Sequence, residues 1–86
     1  MRSISELRER TNEVTAELLL ADAEIAMTFL DLADTTRVPE NRIRRRREAA
    51  KAYQTILKLL PRVDTTEEQK LTLKRRLDQI HRRLSK

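Results

Sequence analysis

The chain has no cysteine, no glycine and no tryptophan, and its 86 residues hold one tyrosine, one phenylalanine and two prolines. Without cysteine there is no disulfide framework and no thiolate metal site, and nothing in the sequence marks a redox compartment. Without glycine there is no P-loop and no Gly-rich dinucleotide turn. The usual residue of β-hairpin turns and bulges is missing as well. No stretch approaches the roughly 18 apolar residues of a membrane span. Met1-Arg2-Ser3 is not followed by the apolar run of a signal peptide, so a cytoplasmic protein without membrane contact is expected. A chain of this length makes one domain, and it buries only about 60–65% of its unfolded surface, which leaves a thin stability margin.

Charge is plentiful and unevenly placed. The net charge is +5. Residues 1–36 hold three arginines against eight acids, a local charge of −5, whereas residues 37–86 hold sixteen Lys and Arg against six acids, a local charge of +10. An acidic first segment therefore faces a basic remainder. Much of that charge can be offset inside one fold, so a basic isoelectric point is weak evidence for a polyanionic partner.

Three helices are expected, over about 5–34, 39–60 and 66–84, forming an all-α antiparallel three-helix bundle that spans 1–86. Ser3 with Glu6 has capping-box spacing and opens the first helix. On its wheel Val14, Leu18, Ala21, Ile25, Phe29 and Leu32 share one face, and Leu19, Ala23, Ala26, Leu30 and Ala33 share a second. Ala16, Leu20 and Met27 lie behind them, and Glu13, Glu17, Glu24 and Asp31 form a narrow acidic stripe. The apolar arc thus exceeds the roughly 100° that an ordinary surface helix needs, so this helix is either central to the bundle or covered by a partner. Pro39 suits the first turn of the second helix. Pro61 disfavours helix at Leu60 and ends it. The apolar face of the second helix reads Ala49, Ala50, Tyr53, Ile56, Leu57 and Leu60, with Ile43 a turn earlier, and its outer stripe reads Arg44, Arg47, Lys51, Gln54 and Lys58. Thr65 with Glu68 fits a second capping box. The last helix keeps one seam, Leu73–Leu77–Ile80–Leu84, with Leu71 off it.

Ala49, Tyr53 and then Pro61 resemble the second-helix half of a tetratricopeptide (TPR) repeat, although the first-helix Trp, Gly and Tyr signature is absent. One helical pair cannot cover its own apolar faces. A hairpin plus a covering third helix resembles the three-helix MIT domain, a TPR-like module. That resemblance implies a groove for helical tails. The lines Thr28–Ala33, Ala52-Tyr53-x-Thr55 and Leu59–Val63 are also similar to short, uncharacterised bacterial helical proteins. This likeness covers about residues 18–85 and implies a fold without an activity.

Four constellations are candidates for chemistry or binding. Arg42, Arg44, Arg45, Arg46 and Arg47 place five guanidinium groups in six positions, which could neutralise phosphates. The one Tyr and one Phe lie on apolar faces, so no stacking platform accompanies them. The alternative is that Arg42 and Arg45 or Arg46 pair with Asp31 and Glu24 across the first hairpin, since a turn near residues 36–37 puts Asp31 opposite about residue 42. His81 stands alone, without cysteine or an acid at i±4, and makes no metal site with ordinary ligand counts. Glu17, Glu24 and Asp31 recur every seven residues and Glu67 and Glu68 open the third helix, but no histidine joins them as a di-metal carboxylate bundle requires. Asp22 falls between the two apolar faces and should be bonded, with Tyr53 or a third-helix cation as donor, or else solvated.

The fourth is the face Leu19–Ala23–Ala26–Leu30, whose small residues permit close helix approach. It is the candidate seat of a partner helix or of a homodimer seam. A helix of about thirty residues would also outreach its neighbours, leaving residues 1–12 for a second chain to cover. The expectation is a protein-interaction or self-association module, a possible homodimer, with no catalytic residues, metal, cofactor or small-molecule substrate. The alternative is nucleic-acid or polyanion binding through Arg42 and Arg44–Arg47.

Overall fold

The computed structural model describes residues 15–86, which form three α-helices: α1 Ala16–Thr35, α2 Pro39–Leu59 and α3 Glu67–Leu84. A 3-10 turn, Leu60–Arg62, follows α2. The all-α three-helix bundle expected from the sequence is the observed fold.

Each boundary has a local cause. Thr15 is extended and caps α1, its hydroxyl accepting the Leu18 N–H at 3.2 Å. The first helix therefore begins at Ala16 and is not one continuous helix from Ser5. The Ser3–Glu6 box, Val14 and the expected overhang of residues 1–12 lie outside the described residues. With 20 residues in α1 and 21 in α2, the described hairpin arms match in length. Pro39 occupies the first turn of α2 as expected. The loop before it is held by Arg42 Nη2, which donates to the Thr36 carbonyl at 3.1 Å. Helix α3 starts one residue later than expected. Thr66 and Gln69 form the reciprocal capping box in place of Thr65 and Glu68. Both pairs have the required spacing, and the later start sets Glu67 and Glu68 in the first turn, against the positive end of the helix dipole.

The core gathers one face of each helix. Leu19, Ala23, Ala26 and Leu30 of α1 meet Ala49 and Ile56 of α2 and Leu73, Leu77 and Ile80 of α3. Leu20, Met27, Phe29, Ala52, Tyr53 and Leu84 are partly buried around it. The third-helix seam is therefore as expected, whereas two expectations on the other helices fail. Ile43 and Leu57, assigned to the inner face of α2, are exposed. On α1 the whole inner face is the narrow Leu/Ala line, and Leu18, Ile25 and Leu32 lie outside. Alanines at 23 and 26 let two helices approach α1 closely, which the larger side chains would prevent.

α1 packs against both other helices, most extensively against α2. Phe29 lies under Arg45, and Asp22 lies beside Ala52 and Thr55, the pairing of an antiparallel hairpin. Arg76 reaches Glu24 and Arg83 reaches Asp31, so α3 returns parallel to α1.

This partition gives a mutational test. Leu30→Ala, in the fully buried line, should cost about 2–5 kcal/mol. Ile25→Ala, one helical face away, should cost under about 1 kcal/mol. Chemical denaturation of the two variants measures both, and equal losses would contradict the assignment of faces.

Candidate interaction surface

The face proposed from the sequence for a partner helix, Leu19–Ala23–Ala26–Leu30, is fully buried by α2 and α3 within one chain. It is the core and is closed to any partner, so that assignment is corrected. The apolar surface left outside is a different row. Leu18, Ile25 and Leu32 are 51%, 49% and 44% exposed and stand seven residues apart on α1. Ala21, also exposed, lies between the first two, and Thr28 turns its hydroxyl back to the Glu24 carbonyl at 3.0 Å. Hydrophobic residues every seven positions with small residues between them have the spacing of a coiled-coil seam. A second row lies on α2, where Ile43 and Leu57 are 58% and 46% exposed, with the half-buried Ala50 midway between them.

The five arginines at the start of α2 do not converge. Residues 100° apart on a helix point around its whole circumference, and these side chains do different things. Arg42 holds the loop carbonyl of Thr36, and Arg44 donates to Asn41 Oδ1 at 3.1 Å. Arg45 pairs with Glu48 at 3.2 Å and lies 5.7 Å from the centroid of the Phe29 ring. Arg46 reaches the end of α3, where its Nη2 donates to the carbonyls of Leu84 at 2.9 Å and Arg83 at 3.2 Å. Those are last-turn carbonyls without helical partners, and a guanidinium both bonds them and meets the negative end of the dipole. Arg47 lines an open depression of about 530 Å³ with Lys51, Gln54, Thr55 and Lys58 on the outer side of α2.

The expected pairing of Arg42, Arg45 or Arg46 with Asp31 and Glu24 is also corrected, because those α1 acids are paired with arginines of α3. Arg76 Nε lies 2.6 Å from Glu24 Oε1. Arg83 forks, with Nη1 at 2.8 Å from Asp31 and Nη2 at 2.8 Å from Asp34. Residues 76 and 83, like 24 and 31, are seven apart, so two parallel helices bring both pairs together at once. That shared spacing was the sequence signal for the contact. Asp22 makes no hydrogen bond to another described residue. It is half-buried beside Phe29, Glu48, Lys51, Ala52 and Thr55 in an open cleft between α1 and α2. Its expected donor Tyr53 instead stacks on His81, ring centroids 5.9 Å apart. Among the described residues no group of three or more His, Asp or Glu is arranged to hold a metal ion. Nor is any described helix long and apolar enough to cross a membrane.

No family model, curated protein or solved structure matches the chain. The resemblance to TPR and MIT modules thus rests on sequence pattern alone.

The Arg83 fork has a pH signature. The hydrogen bond from Arg83 is the largest cause holding the Asp34 carboxyl below its ordinary value of 3.8. A depressed carboxylate stabilises the fold above its unfolded value and loses that contribution as pH falls through the folded one. Asp34→Asn should therefore melt at a lower temperature than the parent by a constant gap above about pH 5. The gap should close as the pH falls below 3.8. A gap that widens in acid would contradict the pairing.

Proposed function

We propose that this chain is a small helix-docking module, a protein-interaction or self-association domain without catalysis of its own, that engages its partner along the Leu18–Ile25–Leu32 row of α1. The observation that carries the reading is that row itself: three large aliphatic side chains, each about half exposed, at heptad spacing on a helix whose opposite face is already core. Solitary exposed leucines are ordinary on a protein surface, but a periodic line of them about 21 Å long at 1.5 Å per residue is the pattern by which one helix receives another. The two-sided burden on α1 supports the same reading, since a helix apolar around most of its circumference wants cover on more than one side.

The alternative, a nucleic acid or other polyanion held by Arg42 and Arg44–Arg47, has less support. Four of the five guanidinium groups already donate to partners within the chain, and no exposed aromatic stands near Arg47.

A photo-crosslinking residue placed at Ile25 in the native cell tests the reading. Discrete adducts are expected from position 25 and not from position 75, exposed on α3 away from both α1 and α2. No adduct at 25, or the same adducts at both positions, would overturn it.

A further inference from the structure

We propose that the partner on this row is a second copy of the same chain, joined head to tail: the α1 row of one copy lies on the α2 row of the next. The proposal rests on the helix-docking reading above and names its partner. It follows from two surfaces with the same pitch and opposite charge. Leu18, Ile25 and Leu32 on α1 are spaced seven residues apart, and so are Ile43, Ala50 and Leu57 on α2. Both lines run 14 residues, about 21 Å along a helix, so knobs on one fall in register with gaps on the other.

The charges beside the two rows are opposite. α1 has five acids and no lysine or arginine between Ala16 and Thr35. Three of them, Glu24, Asp31 and Asp34, are taken by Arg76 and Arg83. Glu17 and Asp22 flank the row and make no ion pair with another described residue. The α2 row is flanked by Arg47 and Lys58, which likewise make no ion pair with another described residue. An α1-on-α1 dimer would set acids against acids, which steers copies apart, whereas α1 on α2 sets acids against bases.

The rows also lie on different flanks of the bundle. The α1 row adjoins Phe29, which packs under Arg45 of α2. The α2 row adjoins Arg46 and Tyr53, which reach α3. One copy therefore cannot use both rows in a single two-fold contact. A contact between unlike patches is heterologous, and it propagates into a ring or an open chain. The line of contact is short, so each interface falls below about 1,200 Å² and is weak on its own.

The test uses two full-chain variants at half-exposed positions, Ile25→Glu and Leu57→Lys, with circular dichroism to confirm that each stays helical. Sedimentation of the parent is expected to give a mass rising above the 10.2 kDa monomer as concentration approaches about 1 mM, the affinity range of weak contacts. Added salt should lower that mass. Each variant alone should stay monomeric, with association weakened at least about tenfold. Mixed one to one, the variants should recover a dimer and stop there, because one retains its α2 row and the other its α1 row. A strictly monomeric parent overturns the proposal, as does a mixture that does not associate. A parent dimer lost in Ile25→Glu but kept in Leu57→Lys also overturns it, since that is the pattern of α1 on α1. A cellular adduct at position 25 to a different protein, with a monomeric parent, would refute the self-contact while leaving the helix-docking reading standing.

Discussion

One helix has to serve two neighbours at once, and the rest of the structure depends on how α1 does it. The line Leu19–Ala23–Ala26–Leu30 is covered by both α2 and α3. Two of its four residues are alanines, so both helices can come close without either being held off by a bulky side chain. Close-packed interiors tolerate little mismatch, which makes this narrow face the element that fixes the others. Once it is consumed, the remaining apolar side chains of α1 cannot also be core. Leu18, Ile25 and Leu32 are left outside as a consequence of the packing and not as a lapse in it.

Electrostatics then favours one placement of the helices. The −5 and +10 halves of the sequence suggest a bare basic surface, yet much of the charge is used within the fold. Arg76 and Arg83 of α3 take the acids of α1, and Arg46 of α2 closes the carbonyl end of α3. Exposed pairs of this kind add about 0–1 kcal/mol each. Their larger effect is on choice of arrangement: with α2 and α3 exchanged around α1, Glu24 and Asp31 would lose Arg76 and Arg83. The lone histidine joins the same framework by stacking on Tyr53.

How much of this was legible in the sequence varies with the kind of information involved. Helix ends were legible wherever a residue has one dominant local effect, as at Pro39 and, within one residue, at the Thr65-Thr66 start of α3. The register of the first hairpin was legible too. A turn near residue 37 sets Asp31 level with residue 42, as Phe29 beneath Arg45 and Asp22 beside Ala52 bear out. The side was not. A three-helix bundle can be built in two hands, and the periodicity of no single helix says which flank of α1 will face α2. Asp31 therefore meets Arg83 at the expected level but on the opposite flank. The choice of inner face failed for a related reason. With apolar residues around most of α1, pattern alone could not rank an alanine-rich line above one carrying Leu18, Ile25, Phe29 and Leu32. The winner was set by how closely two helices must approach, which is a property of the pair.

Helix α1 turns its leucine–alanine line inward and its heptad row outward. Solution NMR of the chain with labelled methyl groups and a soluble paramagnetic reagent, at a concentration too low for self-association, tests it most directly. Strong relaxation enhancement is expected at the methyls of Leu18, Ile25 and Leu32 and little at those of Leu19, Leu30, Leu73 and Ile80. Protection of Leu18, Ile25 and Leu32 to the same degree as Leu30, or exposure of Leu19 and Leu30, would contradict it.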